Sequence, residues 1–279
     1  MADAILVTGG TGKTGRRTVE QLRSMGFEPR VGTRRPKDAA DVRFDWADAD
    51  TFADAFDSVS AVYLVAPTDT INSLGAMEAG LKAALAAGVT RFVLLSASSL
   101  EEDGPMMGAV HGWLRANASE WVVLRPTWFM QNFSEQHHRN TIRDQSTIFT
   151  ATGSGRIGFI DAEDIAATAA SQLVAPTVGN TDYILTGPEA ISYDAVARTL
   201  SGLLGRQIEH KKLTVEELAK RHIQMGLPAE YAETLSAMDG AIARGSEDHV
   251  TGKVLALSGK APTTFAEFAE RNLGAWSLE

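Results

Sequence analysis

The chain opens with short, unbroken apolar runs that alternate with longer stretches whose apolar residues recur every three or four positions. Strand-like runs fall at 4–8, 28–33, 42–44, 61–66, 91–96 and 121–125, and the mainly apolar ones at 4–8, 61–66, 91–96 and 121–125 are as expected of strands buried on both faces of a parallel sheet. Between them, 14–25, 50–56 and 74–87 have helical spacing, and Gly26 and Gly88 stand where helices commonly end on a glycine. Repeated β–α–β order implies right-handed crossovers and predicts a doubly wound sheet.

The second half reads differently. Residues 126–140 look like a turn entering a short helix, and 150–158 is glycine-rich. Residues 159–170 run from a short strand through Asp161 and Asp164 into a helix. Helical stretches follow at 192–204, 214–225, 228–242 and 263–276, with Ser192 and Thr214 as N-caps. The expected fold is α/β: a doubly wound parallel Rossmann sheet with a smaller, mainly helical C-terminal substrate lobe lying over its carboxyl edge. The expected domains are 1–150, the dinucleotide-binding part, and 151–279, the capping lobe, with 156–175 returning to the sheet core.

The strongest local motif is Val7-Thr8-Gly9-Gly10-Thr11-Gly12-Lys13-Thr14-Gly15. Its glycines have the spacing G-x-x-G-x-x-G, directly after a strand and before a helix. One glycine makes the tight turn, one lets backbone approach a pyrophosphate, and one lets helix and strand pack closely. The helix N-terminus offers its amides and positive dipole end to phosphates. A Walker-A loop is disfavoured, because Gly12-Lys13-Thr14 lacks the glycine five positions earlier. The second strand ends Thr33-Arg34-Arg35, with arginines where NAD-binding units place a carboxylate for the ribose 2′-hydroxyl. Guanidinium groups suit a 2′-phosphate, so NADP(H) is the expected cofactor; the alternative is a solvated basic turn. Asp45 is placed near the adenine, and Ala66-Pro67 beside the ribose and nicotinamide.

Composition narrows the classes. The 279 residues are 44% apolar and carry a formal charge of −9, which suits a globular protein and argues against nucleic acid as partner. There is no cysteine, so disulfides, thiolate nucleophiles and zinc–thiolate sites are excluded. The start Met1-Ala2-Asp3 lacks a basic signal region, and no uncharged apolar run reaches the roughly 18 residues that span a bilayer. The expected location is cytoplasmic, with no membrane partner. Leu278-Glu279 is read as a tag remnant.

The catalytic face is defined by an absence. Short-chain reductases carry a tyrosine, and a lysine four residues later, to protonate a developing alkoxide. Here Met107 and His111 stand at those positions, and no Y-x-x-x-K occurs. Reducing a carbonyl needs hydride and a proton; reducing an iminium needs hydride alone. His111 either orients the nicotinamide ribose or donates a proton, or it is a buried histidine satisfied by backbone. Ser96 and Ser98 are ligand contacts or strand-end caps. After the sixth strand, Trp128, Phe129, Met130 and Asn132, with Met107, would form a wall for an aromatic substrate, against the reading of inter-lobe packing. The His137-His138 pair near Glu135 is not a metal site, since adjacent helical residues diverge by about 100°; no metal is expected.

The stretches Phe44-Asp45-Trp46, Ala61-Val62-Tyr63-Leu64-Val65-Ala66-Pro67, Arg91-Phe92-Val93-Leu94-Leu95-Ser96-Ala97-Ser98 and Val123-Leu124-Arg125-Pro126-Thr127-Trp128-Phe129-Met130 resemble the fungal festuclavine/agroclavine dehydrogenases of ergot alkaloid biosynthesis. So do Met107-Gly108-Ala109-Val110-His111, Thr150-Ala151-Thr152-Gly153, Asn180-Thr181-Asp182-Tyr183 and Ala275-Trp276. The resemblance covers nearly the whole chain. It implies the NmrA-like, atypical short-chain dehydrogenase/reductase group, and NADPH-dependent reduction of an iminium. The leading expectation is therefore an NADPH-dependent reductase of an imine or iminium in a small aromatic or heterocyclic compound. The alternatives are an NAD(P)H:quinone oxidoreductase and a non-catalytic NmrA-like dinucleotide sensor, and only the sensor calls for a protein partner.

Overall fold

The computed structural model describes residues 4–68 and 70–277, the side chain of His137 excepted. The readings placed on residues 1–3 and 278–279 lie outside the described residues. In chain order the first elements are β1 (Ala4–Val7), α1 (Lys13–Ser24), β2 (Arg30–Thr33), β3 (Asp41–Arg43), α2 (Phe52–Phe56), β4 (Val59–Leu64), α3 (Ser73–Ala86), β5 (Arg91–Leu95), α4 (Met107–Asn117) and β6 (Glu120–Pro126). Then come α5 (Gln131–Ser134), α6 (His137–Gln145), β7 (Thr147–Thr150), β8 (Arg156–Ile157), α7 (Ala162–Val174), β9 (Thr181–Leu185), β10 (Ile191–Ser192) and α8 (Tyr193–Leu204). The last are β11 (Glu209–Lys212), α9 (Val215–Gln224), α10 (Ala229–Ala243), α11 (Lys253–Ser258) and α12 (Phe265–Arg271).

These elements form two compact units, each made of several chain segments. The first comprises Met1–Pro126, Ala162–Leu185 and Lys253–Lys260; the second comprises Thr127–Asp161, Thr186–Gly252 and Ala261–Glu279. Residues 127–150, placed by the sequence with the first domain, belong to the second unit. Residues 162–185 belong to the first for a topological reason: a parallel partner for β6 needs a crossover helix, which α7 supplies before β9.

The first unit is built on a seven-stranded sheet of order β3-β2-β1-β4-β5-β6-β9, with every pair parallel. This is the doubly wound arrangement the apolar runs predict, with its switch point between β1 and β4. Leu6, Val62, Phe92, Leu94 and Val123 pack with Phe52, Met77, Leu81, Val110 and Leu114 of α2, α3 and α4. On the other face α1 packs against the alanine-rich α7, whose small side chains permit close approach. Gly26 and Gly88 close α1 and α3 at φ +86° and +91°. Each is followed by the long return hydrogen bond of a Schellman motif, Phe27 N–H to Leu22 O and Val89 N–H to Ala84 O.

The second unit holds two small sheets, β7 with β11 in parallel and β8 with β10 antiparallel. The sequence showed its helices and not these strands. β11 reads Glu-His-Lys-Lys and is largely exposed, so it carries no apolar alternation; β8 and β10 have two residues each. Residues 159–170 begin with a single Phe129–Ile160 bridge, not a strand. Ser192 caps α8 through the Ala195 amide, and Thr214 forms a capping box with Glu217. The core packs aliphatic side chains around an aromatic cluster of Phe133, Phe159, Tyr193, Phe265, Phe268 and Trp276.

Candidate active site

At the end of β1 the chain turns through Gly9, exposed and at φ +59°. Gly12 N–H bonds back to Gly9 O at 2.8 Å. A Cβ on Gly15 would lie 2.2 Å from Gly9 O, and one on Gly10 would lie 2.6 Å from Val31 Cγ1. The turn therefore admits no side chain at either position. Helix α1 begins immediately, with Gly12 as N-cap and no side-chain capping hydrogen bond from it. Thr8 ties this turn to the switch point, its hydroxyl donating to Tyr63 O at 2.8 Å and accepting from Val65 N–H at 2.9 Å. Thr11 and Gly12 are exposed, Lys13 is half-buried, and Thr14 lies beneath the turn. A tight, uncapped helix entrance fits the pyrophosphate of a dinucleotide.

The end of β2 adds the charge. Thr33 is buried, and its hydroxyl accepts from Arg35 N–H at 3.3 Å. Arg34 and Arg35 are both exposed. Asp45, half-buried after β3, closes a turn by accepting from Ala47 N–H at 3.1 Å. Ala66 and Pro67, half-buried, follow β4. All these groups stand at carboxyl ends of strands, where open α/β sheets gather ligands.

Further along the same edge, Ser96 N–H bonds to Leu124 O and Ser98 N–H to Pro126 O, at 2.8 and 2.9 Å. The Ser96 hydroxyl is buried without a partner among the described residues. Met107 opens α4 half-buried, and its sulfur accepts from the Ser73 hydroxyl at 3.6 Å. His111, one turn further, lies with 3% of its surface exposed. Its ring is 5.2 Å from that of Trp121, and Nε2 is 4.0 Å from Glu102 Oε2. Neither ring nitrogen has a hydrogen-bond partner among the described residues. Burial pushes the His111 pKa down, with Glu102 pulling the other way. The ring is therefore neutral at neutral pH, and its contribution to stability declines as pH falls below the ordinary histidine value. None of the four tyrosines lies on α4 or in the segment leading to it.

That leading segment is strained. Met106, just before α4, has φ +54° and ψ −123°, a conformation costing a side-chain-bearing residue on the order of 1–3 kcal/mol. Its upstream end is held by Arg125, a residue the sequence reading passed over. Arg125 is 5% exposed and donates to Ser98 O at 2.7 Å, Glu101 Oε1 at 2.6 Å and Asp182 Oδ2 at 2.7 Å. The available signal was a lone arginine inside an otherwise apolar strand.

The second unit holds the other sequence candidates. Met130 is 1% exposed in the aromatic core, whereas Trp128, Phe129 and Asn132 keep part of their surface. His138 is buried and stacked on Phe133. Among the described residues, no three His, Asp or Glu side chains converge as metal ligands. No helix among them is long and apolar enough to cross a membrane.

A family model described as NAD(P)H-binding matches residues 9–176. The chain belongs to this family. An uncharacterized oxidoreductase of Bacillus subtilis, YesF, is 40% identical over 276 residues, covering 98% of this chain and 96% of its own. Agroclavine dehydrogenase of Claviceps fusiformis is 37% identical over 286 residues, covering 98% and 99%. This NAD(P)H-binding chain thus falls in the agroclavine/festuclavine dehydrogenase-like branch and is an NAD(P)-dependent oxidoreductase. Among solved structures, the NADPH-dependent quinone oxidoreductase QOR2 of Escherichia coli, complexed with NADPH, superposes with a TM-score of 0.83 at 21% identity, covering 96% of this chain and 99% of that one. At that identity the likeness shows a shared Rossmann-type fold.

Proposed function

We propose that this oxidoreductase uses NADP(H) and passes hydride to the carbon of an imine or iminium in a small aromatic or heterocyclic substrate. The observation that carries the reading is the absence of a Tyr–Lys pair from the start of α4. Met107 and a buried, neutral His111 occupy the places of the tyrosine and lysine that would protonate an alkoxide. An iminium needs no such donor: hydride adds to carbon, the π pair moves to nitrogen, and a neutral amine results. NADPH, when bound, supplies the hydride.

The residues divide the remaining work. Gly9, Gly10, Thr11, Gly12, Lys13, Thr14 and Gly15 would seat the pyrophosphate, and Thr33, Arg34 and Arg35 the 2′-phosphate. Asp45 would lie by the adenine, and Ala66 and Pro67 by the ribose and nicotinamide. Ser96 and Ser98 are proposed to orient bound ligand through the open strand ends, while His111 holds α4 against the sheet. Met107 is proposed as a substrate contact. Trp128, Phe129 and Asn132 are carried forward as substrate contacts from their place directly after β6, whereas Met130, buried in the second unit's core, is not; Trp128→Ala should slow turnover with cofactor affinity unchanged. Unaltered turnover in that variant removes Trp128 from the role.

The deciding experiment follows NADPH oxidation by purified protein with a cyclic iminium, with a quinone and with no acceptor. Turnover with the iminium supports the reading. Turnover with the quinone alone rejects it, and tight binding of both NAD and NADP without turnover points to a sensor. For the cofactor, Arg34→Ala with Arg35→Ala should weaken NADPH by about 1.5–3 kcal/mol per lost charged hydrogen bond while NADH hardly changes. Equal losses for the two reject the 2′-phosphate assignment.

A further inference from the structure

Arg125 makes an unusual arrangement for a residue inside a sheet. Trp121, Val123 and Arg125 point to one face of β6 by strand alternation, the face where Trp121 and Val123 pack with α4 residues Val110 and Leu114. A guanidinium buried there needs partners: its two Nη groups make three bonds that run to two places, while Nε has no partner among the described residues. One is Asp182 on the neighbouring β9; the other is the segment after β5, through Ser98 O and Glu101. Glu101 is the node of that segment. Its carboxylate meets Arg125, and its carbonyl accepts from Gly104 N–H at 3.1 Å. The first turn of α4 presses against the same carbonyl so closely that a Cβ on Gly108 would sit 2.2 Å from it. Asp103 N–H closes the loop onto Gly108 O at 3.0 Å. The strained Met106 lies inside this closed loop. A backbone held off its preferred basins persists only where its flanks are fixed, and Arg125 fixes one flank to the sheet.

We propose that Arg125 is a positioning residue for substrate: by clamping Glu101 and Ser98 O against Asp182, it holds the 98–106 turn so that Met107 is presented at the carboxyl edge of the sheet. The proposal rests on the reading of Met107 as a substrate contact. Among the described residues, the hydrogen bonds of Arg125 reach neither the cofactor loop nor α1. Lysine in its place keeps the positive charge, but its ammonium cannot span the three acceptors that the planar fork reaches.

The test uses the full-length protein with Arg125→Lys and Glu101→Ala, the second altering an exposed side chain whose loss threatens folding least. In Arg125→Lys, kcat/KM for the acceptor should fall roughly ten- to a hundredfold, as expected when a reacting pair is misplaced by a fraction of an ångström. NADPH Kd should stay within about twofold. Glu101→Ala should shift the same way by less, and it decides the matter if Arg125→Lys does not fold. Unchanged acceptor kinetics, or NADPH binding weakened in step with them, overturns the proposal. Hydrogen–deuterium exchange of residues 99–108, measured without any acceptor, should quicken in both variants; unchanged exchange rejects the clamp. If wild-type protein turns over no acceptor at all, the substrate reading fails, and quickened exchange still separates that failure from a failure of the clamp.

Discussion

The two units are held together by different means. In the first, seven parallel strands meet helices on both faces in a core that is largely aliphatic around one ring group, Phe44 with Trp46, Phe52 and Phe56, and backbone ladders fix each strand against the next. In the second, rings meet rings: Phe133 lies 5.2 Å from both Phe159 and Phe265, and Phe159 lies 5.3 Å from Tyr193. Trp276 completes that cluster, donating its indole N–H to Phe133 O at 2.7 Å. The small β7–β11 sheet is held through a buried polar chain, with Asp194 bonded to His210 and His210 to Thr150, at 2.9 and 2.7 Å. A ladder fixes where strand ends fall, so the first unit can carry a ligand site on loops that need little stability of their own. A ring cluster has no such register, and its geometry depends on each large side chain.

Substitutions can break this comparison, beginning with the largest expected effect. Trp276→Ala should cost about 3–5 kcal/mol by emptying a fully buried site, read as a fall in the urea midpoint. A loss below 1 kcal/mol would show that the second unit does not depend on its rings. Next, Gly15→Ala should cost about 1–3 kcal/mol and abolish measurable cofactor binding, since its new carbon meets a backbone oxygen that no rotamer can avoid; undiminished binding by calorimetry would contradict the tight-turn geometry. Asp239 gives a smaller, pH-dependent effect in the second unit. Burial pushes its pKa up from 3.8 to about 6, only partly offset by the bond from Ala151 N–H. The folded state then binds its proton more tightly than the unfolded state, so stability from this group is present at low pH and lost as pH rises through 6. Asp239→Asn should therefore stabilise by about 1–2 kcal/mol at pH 8 and much less at pH 5, and melting curves with equal gains at both values would reject the assignment. Smallest is Gly202→Ala on α8, where a Cβ meets nothing within 4 Å. It should add about 0.5–1 kcal/mol through helix propensity, and a loss of stability would reveal an unseen contact.

Legibility followed the same division. The six strand-like runs, the glycine-closed helices and the turn at Gly9–Gly15 were visible because each is encoded over a few consecutive residues. β9 was not, because Thr181–Leu185 is a half-buried edge strand with little apolar contrast. The arginines after β2 and the missing Tyr–Lys pair were equally plain. The surroundings of His111 were not: sequence left open a ribose contact, a proton donor or a buried ring satisfied by backbone, and the structure shows a buried imidazole against Trp121 with neither nitrogen partnered among the described residues.

What the sequence determined by itself was six of the seven strands of the sheet, the glycine turn before α1 and the absence of a Tyr–Lys pair from α4, since periodicity, glycine spacing and residue identity are local properties. Tertiary structure alone decided that the segment returning to the sheet runs on through β9 to Leu185 and pairs with β6, that Met130 is spent on a core, and that Arg125 joins three distant segments. Each of these depends on contacts between positions far apart in the chain, which chain order does not record.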